Sequence, residues 1–209
     1  MERPLVLVGG GGHCKSVIEA AESVGHTIKG ILDIPENVGK KVLDFEVIGT
    51  DDDISFFVNE CDFIITLGFI KNPHIRNSLY ERVEVEGGHL ITLIASTAHV
   101  SKYAEIGPGS VVLHQACVNA DAKIGKGCII NTFANIEHDV KIGDFCHIAT
   151  GSMVNGDCKV GKNSFIGSQS VLANGITICD NVIVGAGSFI RKDILYPGTY
   201  SGNSTTIML

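Results

Sequence analysis

The stretch NIEHDVKIGDFCHIATGSMV, residues 135–154, places an aliphatic side chain at every sixth position, namely Ile136, Ile142, Ile148 and Val154. The spacing continues in both directions over sixteen positions, all of them Ile, Val or Leu. They are Val100, Ile106, Val112, Val118, Ile124, Ile130, Ile136, Ile142, Ile148, Val154, Val160, Ile166, Leu172, Ile178, Val184 and Ile190. Neither a helical period of about 3.6 nor a strand period of about 2 explains this repeat. A hexapeptide period is typical of a parallel β-helix.

A second column of mostly small residues follows four positions after the aliphatic column. Its members are Ala104, Ser110, Ala116, Ala122, Cys128, Ala134, Val140, Cys146, Ser152, Cys158, Ser164 and Ser170. Even spacing along a strand puts side chains on one face, so we expect both columns to point inward. Three of the seven cysteines belong to this column, which favours a role as small core residues over redox or metal chemistry.

A longer period of eighteen residues relates the corners of the repeat. The residues that recur at this interval are Gly107, Gly125, Gly143 and Gly161, and likewise Asp121, Asp139 and Asp157. Three hexads therefore make one coil of a triangular prism, with three short strands a turn and about five turns in all. Gly and Asp suit such turns because both tolerate unusual backbone angles.

Residues 1–94 have a different texture, in which apolar segments alternate with helical ones. The segments PLVLVG, TIKGILD, DFIITLG and HLITLI are predicted strands, and HCKSVIEAAESVG and NPHIRNSLYERVEVEG are predicted helices. This alternation predicts a small α/β domain with a Rossmann-like parallel sheet. The sequence thus predicts two domains, an α/β domain over residues 1–94 and a β-helix over residues 95–209.

Charge and composition exclude several classes of partner. The chain has 209 residues and a net charge of -7, which argues against nucleic acid and anionic membranes because both require a basic surface. We expect no membrane span, since no run of eighteen apolar residues occurs, and no signal peptide at the N-terminus. The seven cysteines include no Cys-x-x-Cys pair, so reduced thiols and a cytoplasmic location are expected.

The whole pattern resembles the hexapeptide-repeat acyltransferases, in the branch of sialic acid O-acetyltransferases and N-acetyltransferases of nucleotide-linked amino sugars. Its specific marks are NT at Asn131–Thr132, EHD at Glu137–Asp139 and His147, joined to an N-terminal strand, a Gly-rich loop and a Gly-His pair. The resemblance implies that the prism is left-handed. It also implies acetyl-CoA as co-substrate, no metal, and a homotrimer with active sites between subunits.

His138 interrupts the repeat, because its stacked neighbours eighteen residues away are Ala120 and Gly156. Acyl transfer from a thioester needs a base that takes a proton from the attacking amine or hydroxyl, and histidine titrates near neutrality. The next residue, Asp139, either orients the ring or only shapes a turn. The resemblance implies that His138 is the general base and that Asp139 tunes it, where the family often has Glu. The alternative is a surface imidazole without a role.

His147 also departs from its column, in which its neighbours are Ile129 and Phe165. It lies nine residues from His138, which is half of a coil, so the two imidazoles should face different sides of one prism. A site that contains both would need a groove between two chains. This spacing favours an oligomer.

Several further residues are implied only by the resemblance to contact acetyl-CoA. The implied contacts are His147, Gly156, Ser168 and Ala186. The Gly156 amide is a candidate for binding the oxyanion, or else Gly156 is only a tight-turn glycine. The family commonly ends with Gly-x-Pro-Ala and a basic residue, whereas this chain ends with SGNSTTIML. The remaining candidates for the CoA phosphates are Arg191, Lys192 and Lys162.

The N-terminal segment VGGGGHCK contains glycines at the first positions of a dinucleotide fingerprint but has Cys14 at the third, so the motif is weak. Free amides at a helix start suit a phosphate or a uracil carbonyl. Asp33 closes the second strand, where ribose hydroxyls are often held. The resemblance implies that a sugar nucleotide binds at Gly11, Gly12, His13, Asp33 and Gly68, and ordinary strand-to-helix turns are the alternative.

Three functions follow from these observations. The first is acetyl-CoA-dependent N-acetylation of a UDP-, dTDP- or GDP-linked amino sugar, a 4-amino-4,6-dideoxyhexose, in bacterial glycan biosynthesis. The second is O-acetylation of a free sugar such as sialic acid, which needs the same base but no nucleotide site. The third is a non-catalytic trimeric scaffold, which predicts no binding of acetyl-CoA.

Overall fold

The computed structural model describes residues 3–202 and the backbone of the short strand Thr206–Ile207. Its α-helices are α1 (Gly12–Ser23), α2 (Ile54–Phe57) and α3 (His74–Val85), and short 3-10 helices span Pro35–Asn37 and Asp51–Asp53. Within the described part of the chain, none of the helices has the length and apolar character that a membrane crossing requires.

The N-terminal domain is built around a six-stranded sheet. Its strands are β1 (Leu5–Val8), β2 (Ile28–Leu32), β3 (Lys41–Val42), β4 (Phe45–Gly49), β5 (Asp62–Ile65) and β6 (His89–Leu90), in the order β3-β4-β2-β1-β5-β6. The central strand β1 is buried along its whole length, as expected for a parallel strand covered on both faces. The predicted α/β fold is confirmed. The sheet is larger than predicted, because β3 and β4 form an antiparallel pair at one edge.

The prism has three sides, and each side is a sheet of short strands. The first prism sheet contains β7 (Leu93–Ile94), β10 (Val111–Val112), β13 (Ile129–Ile130), β16 (His147–Ile148), β19 (Phe165–Ile166), β22 (Val182–Val184), β24 (Gly198–Ser201) and β25 (Thr206–Ile207). The second contains β8 (His99–Val100), β11 (Cys117–Val118), β14 (Asn135–Ile136), β17 (Met153–Val154), β20 (Val171–Leu172) and β23 (Phe189–Ile190). The third contains β9 (Glu105–Ile106), β12 (Lys123–Ile124), β15 (Lys141–Ile142), β18 (Lys159–Val160) and β21 (Thr177–Ile178). Residues eighteen apart pair in parallel, as in Ile130 with Ile148, which confirms the predicted coil.

The two predicted columns form the core of the prism. Aliphatic residues of the hexads and small residues of the second column pack into one buried cluster, which includes Cys128, Cys146 and Cys158. Small polar members are satisfied by the next coil: the Ser110 hydroxyl donates to the Gly125 carbonyl at 2.8 Å and accepts from the Cys128 amide at 2.9 Å. Buried hydroxyls therefore leave no unpaired group at these positions.

The prism corners use aspartate and glycine for different reasons. Asp121, Asp139 and Asp157 have φ angles of 59°, 63° and 60°, the left-handed conformation that aspartate tolerates. Gly107 does not adopt such a conformation. A Cβ atom there would lie 2.7 Å from the carbonyl carbon of Gly125, so this column needs glycine because adjacent coils approach closely. The prediction that unusual backbone angles explain the glycine column is therefore wrong.

The segment HLITLI does not form the single strand predicted for it. Leu90 extends the N-terminal sheet by pairing with Phe63, whereas Leu93 pairs with Val111 and begins the first prism sheet. The outward side chains of Leu93, Val111 and Ile129 pack in one buried cluster with α1 and β1. The N-terminal domain is thereby seated directly on the first prism sheet.

Candidate active site

A cleft of about 540 Å³ opens where the first turn of α1 faces the first prism sheet. Its walls are the glycine loop with His13, the segment of residues 66–70 that follows β5, and His147 on β16. The structure thus brings the predicted nucleotide residues Gly11, Gly12, His13 and Gly68 together with His147, which was predicted to contact acetyl-CoA.

The glycine loop leaves the start of α1 open. Gly11 is the N-cap residue and provides no side-chain cap, and a Cβ atom built on Gly11 or Gly12 would meet nothing within 4 Å. The Thr66 hydroxyl donates to the Gly9 carbonyl and holds this loop against the end of β5. An uncapped helix start with unobstructed amides is suited to binding an anion.

Asp33 lies beside the glycine loop at the carboxyl end of β2. Its Oδ2 accepts a hydrogen bond of 2.8 Å from the Asn37 side-chain amide, whose own oxygen accepts from Lys40 at 3.1 Å. A Cβ atom at Gly10 would lie 2.7 Å from the same Oδ2, so the carboxylate is packed against the loop. The predicted residue therefore borders the open helix start, where a ribose would follow a bound phosphate.

His147 is a buried, neutral imidazole. Its ring is 8% exposed, with Nδ1 donating to the Phe69 carbonyl at 2.8 Å and Nε2 accepting from the Asn131 amide at 3.1 Å. Burial lowers the pKa of His147 to about 4, although the Phe69 carbonyl opposes that shift. These two bonds fix the tautomer with the proton on Nδ1. Both ring nitrogens are therefore occupied within the chain, which the sequence did not indicate.

His13 faces His147 across the cleft, with the ring centroids 6.3 Å apart. Burial, with a smaller contribution from the nearby charge of Arg76, lowers the pKa of His13 to about 3. Among the described residues, no group bonds its buried Nε2. The cleft therefore has an uncharged wall with one unpaired polar nitrogen.

His138 stands at the corner that follows β14 and has a very different environment. Its Nδ1 donates to Asp139 Oδ2 at 2.8 Å, and its side chain is 62% exposed. The hydrogen bond to Asp139 raises the pKa of His138, and the negative charges of Asp139, Glu137 and Asp157 act in the same direction. The open Nε2 then carries the lone pair that a general base needs. Asp139 both orients this ring and forms the left-handed corner.

Gly156 lies against the ring of His138, one coil further along. A Cβ atom at Gly156 would be 2.7 Å from Cε1 and 2.9 Å from Nε2 of His138. The corner itself tolerates a Cβ, because Ala120 occupies the same column one coil before His138. Within the described part of the chain, the Gly156 amide donates no hydrogen bond. It is thus a glycine whose absent side chain makes room for the imidazole.

The other residues predicted for acetyl-CoA lie apart from His138 in one chain. Ser168 follows β19 and Ala186 follows β22, at the corner between the first and second prism sheets. His138 and Gly156 occupy the opposite edge of the second sheet, and His147 belongs to the first sheet. A single chain therefore does not unite His138 with His147, Ser168 and Ala186.

Two remaining predictions concern metals and the CoA phosphates. In residues 3–202, no three His, Cys, Asp or Glu side chains are grouped so as to hold a metal ion. Lys162 lies 3.9 Å from Asp180, and the Arg191 guanidinium lies over the ring of Phe189. The terminal segment SGNSTTIML falls largely outside the described residues.

The fold is a parallel β-helix of three prism sheets that carries an N-terminal α/β domain. Residues 4–83 match the model of the PglD N-terminal domain, and residues 92–197 match that of the GMPPB C-terminal domain. No curated protein sequence matches the chain significantly.

Solved structures match over the whole length. The acetyltransferase domain of PglB from Neisseria gonorrhoeae, in complex with acetyl coenzyme A, is 32% identical with a TM-score of 0.92 and both chains covered by 100%. PerB from Caulobacter crescentus, in complex with CoA and GDP-perosamine, is 30% identical with a TM-score of 0.91, covering 98% of this chain and 97% of that one. WeeI from Acinetobacter baumannii shares the fold at 23% identity, with a TM-score of 0.88 and coverage of 98% and 99%.

The chain therefore belongs to the family of hexapeptide-repeat nucleotide-sugar acetyltransferases. The predicted family, fold class and enzyme class are confirmed, with acetyl-CoA as the co-substrate.

Proposed function

We propose that this enzyme transfers the acetyl group of acetyl-CoA to the amine of a UDP-, dTDP- or GDP-linked amino sugar, a 4-amino-4,6-dideoxyhexose, in bacterial glycan biosynthesis. The observation that carries the proposal is the open helix start at Gly11 and Gly12 beside Asp33. The same chain contains the exposed imidazole of His138, which is hydrogen-bonded to a carboxylate. O-Acetylation of a free sugar would use the base but would leave the open helix start without a ligand. A relative crystallised with GDP-perosamine also favours a nucleotide-linked substrate.

In this proposal His138 is the general base. The amine attacks the thioester carbonyl, its proton passes to Nε2 of His138, and the CoA sulfur leaves and takes up a proton in turn. Asp139 accepts a hydrogen bond from Nδ1 of His138, so the neutral ring has its lone pair on Nε2. The Gly156 amide, which has no partner among the described residues, is the proposed donor to the developing oxyanion.

The nucleotide is proposed to bind at the start of α1. The amides of Gly11 and Gly12 suit its phosphates, and Asp33 suits its ribose hydroxyls. His13 and Gly68 then line the path toward the prism, since both belong to the cleft wall. The uncharged ring of His13 has one nitrogen that can form a hydrogen bond with the sugar. Because the ring is neutral, it does not repel the amine of the sugar.

We also propose a homotrimer with active sites between subunits. The second prism sheet exposes Met153 at 42% and Phe189 at 40%, and Phe133 beside it is 58% exposed. Apolar side chains on an open sheet face suit contact with another copy of the chain. A groove between copies would unite the His138 edge of one chain with the Ser168 and Ala186 edge of the next. Sedimentation equilibrium should give three chains, and a stable, active monomer would contradict the shared groove.

Two further assignments belong to this proposal. A hydrogen bond from the His147 ring to acetyl-CoA would require its bond to Asn131 to open, because both ring nitrogens are otherwise occupied. A cytoplasmic location agrees with the seven free thiols, which persist in reducing compartments.

The central experiment is a screen of CoA release with UDP-, dTDP- and GDP-linked amino sugars and with free sialic acid. We expect turnover only with a nucleotide-linked amine. The His138→Asn variant keeps a polar side chain but cannot take the proton, so kcat should fall about 10²–10⁴-fold. Turnover of sialic acid alone would favour O-acetylation.

A further inference from the structure

Arg76 in the first turns of α3 is the most deeply buried cation of the described residues, at 1% exposure. Its guanidinium donates in two directions. Nη1 donates to the carbonyls of Ile65 at 2.6 Å and Leu67 at 2.9 Å, while Nε and Nη2 donate to the Gly127 carbonyl at 3.3 Å and 3.2 Å. One side chain therefore joins the end of β5 to a corner of the prism.

A buried guanidinium without a carboxylate partner is unfavourable, and burial lowers the pKa of Arg76 to about 10. An apolar side chain of similar volume would often stabilise such an interface better. An apolar side chain could not bridge three carbonyl groups that belong to different domains. The geometry therefore favours a positional role over a contribution to packing.

The segment that Arg76 holds is the wall of the cleft. Residues 66–70 follow directly from β5, and the Phe69 carbonyl accepts the Nδ1 proton of His147. Gly68 packs in the same wall against His13, since a Cβ atom there would lie 3.4 Å from the Cβ of His13. Arg76 thus fixes the wall at a set distance from the prism.

We infer that Arg76 is a positioning residue, which sets the separation between the sugar-nucleotide wall and the acetyl-transfer prism. The inference rests on the proposed function, because the separation matters only if the amine is delivered from that wall. A misplacement of about 1 Å between reacting groups lowers a rate about 10²-fold.

The chain offers a matched control one turn along the same helix. The Tyr80 hydroxyl donates to the Pro108 carbonyl at 3.2 Å and so also joins α3 to the prism. That bond does not touch residues 65–70. Tyr80→Phe therefore loosens the same interface without releasing the wall.

The experiment compares Arg76→Lys, Arg76→Gln and Tyr80→Phe with the wild type. Lysine keeps the charge but lacks the planar fork, and glutamine removes the buried charge, so it is expected to fold even if lysine does not. In both Arg76 variants kcat should fall about 10²-fold while the KM for acetyl-CoA is unchanged. In Tyr80→Phe kcat should be unchanged at a comparable melting temperature.

Hydrogen exchange of residues 66–73 separates this inference from the proposed function. Exchange should accelerate in the Arg76 variants and not in Tyr80→Phe, whether or not a substrate has been found. If exchange is unchanged in the Arg76 variants, Arg76 does not hold the wall. If kcat falls equally in all three variants, the interface acts only through general stability and the positioning role is refuted.

Discussion

Gly156→Ala should disable the enzyme without disturbing the coil. The added Cβ would lie 2.7 Å from Cε1 and 2.9 Å from Nε2 of His138, whereas carbon atoms in contact lie about 3.5–4.0 Å apart. The ring must therefore move by about 1 Å, which strains its 2.8 Å bond to Asp139. The imidazole is exposed and can turn away, so the prism itself has no reason to unfold.

A displacement of this size predicts a fall in kcat of about 10²-fold. The assay is steady-state CoA release, together with the melting temperature of the assembled protein. Asn174→Ala is the matched control, because Asn174 occupies the same column one coil later and is exposed. It should leave kcat unchanged. The pH profile should also move, since a ring separated from Asp139 loses the interaction that raises its pKa.

A double-mutant cycle tests the mechanism directly. If Gly156→Ala acts by displacing His138, it should have almost no further effect in the His138→Asn background, because the two changes remove the same function. Additive losses would mean that Gly156→Ala acts independently of His138. Wild-type activity in Gly156→Ala would refute the claim that the ring is held against the glycine.

Three further predictions concern charge and binding. Asp139→Asn keeps a residue suited to the left-handed corner but removes the negative charge beside His138. The pKa of His138 should therefore fall, and the acid limb of the kcat/KM profile should move to lower pH. An unmoved limb would show that Asp139 only shapes the turn. Asp33→Ala should raise the KM for the sugar nucleotide more than it lowers kcat, whereas an unchanged KM would place the nucleotide elsewhere. The pKa values of His13 and His147 in the folded protein are about 3 and about 4, below the value of 6.5 in the unfolded chain. The unfolded chain therefore binds more protons than the folded protein as the pH falls from 6.5 toward 4, and the free energy of unfolding decreases over that range. For His147 that loss is on the order of 3 kcal/mol; calorimetry should show a falling melting temperature, with a smaller slope in His147→Gln, and a flat profile would contradict the neutral, buried pair.

The prism could be predicted because every coil repeats the same sequence pattern. Each aliphatic position meets the same position of the next coil, so one periodicity determines burial, pairing and register together. The edge pair β3 and β4 could not be predicted in this way. β3 has only two residues, one exposed and one half-buried, and β4 contains a single buried side chain, Val47, so neither segment has a long apolar run.

The structure of the segment HLITLI depends on the strands beside it and not on its local composition. The segment reads as one strand, yet Leu90 and Leu93 join different sheets because the chain crosses between the domains there. A periodic pattern reports which side chains are buried but not which strand lies beside them. The division of this segment between two sheets was therefore accessible only from the structure.

The site shows the same limit. His138 could be singled out because it departs from its column, and Asp139 because it follows directly in the chain. The roles of Arg76 and of the Phe69 carbonyl could not be anticipated, because a backbone acceptor has no sequence signature and an arginine on an amphipathic helix is usually exposed. Asn131 belongs to a family-specific motif, but only the structure shows its bond to His147.

The corner column of His138 explains how a strict repeat can carry chemistry. The column contains Lys102, Ala120, His138, Gly156 and Asn174, so the coil imposes no residue type at this position. The neighbouring columns are constrained, by burial for the aliphatic residues and by backbone conformation for Asp139. The fold thus fixes the backbone conformation at Asp139 while leaving the adjacent side chain free to vary. The proposed base in this variable column is oriented by a residue of the left-handed corner, and Gly156 leaves room for its ring.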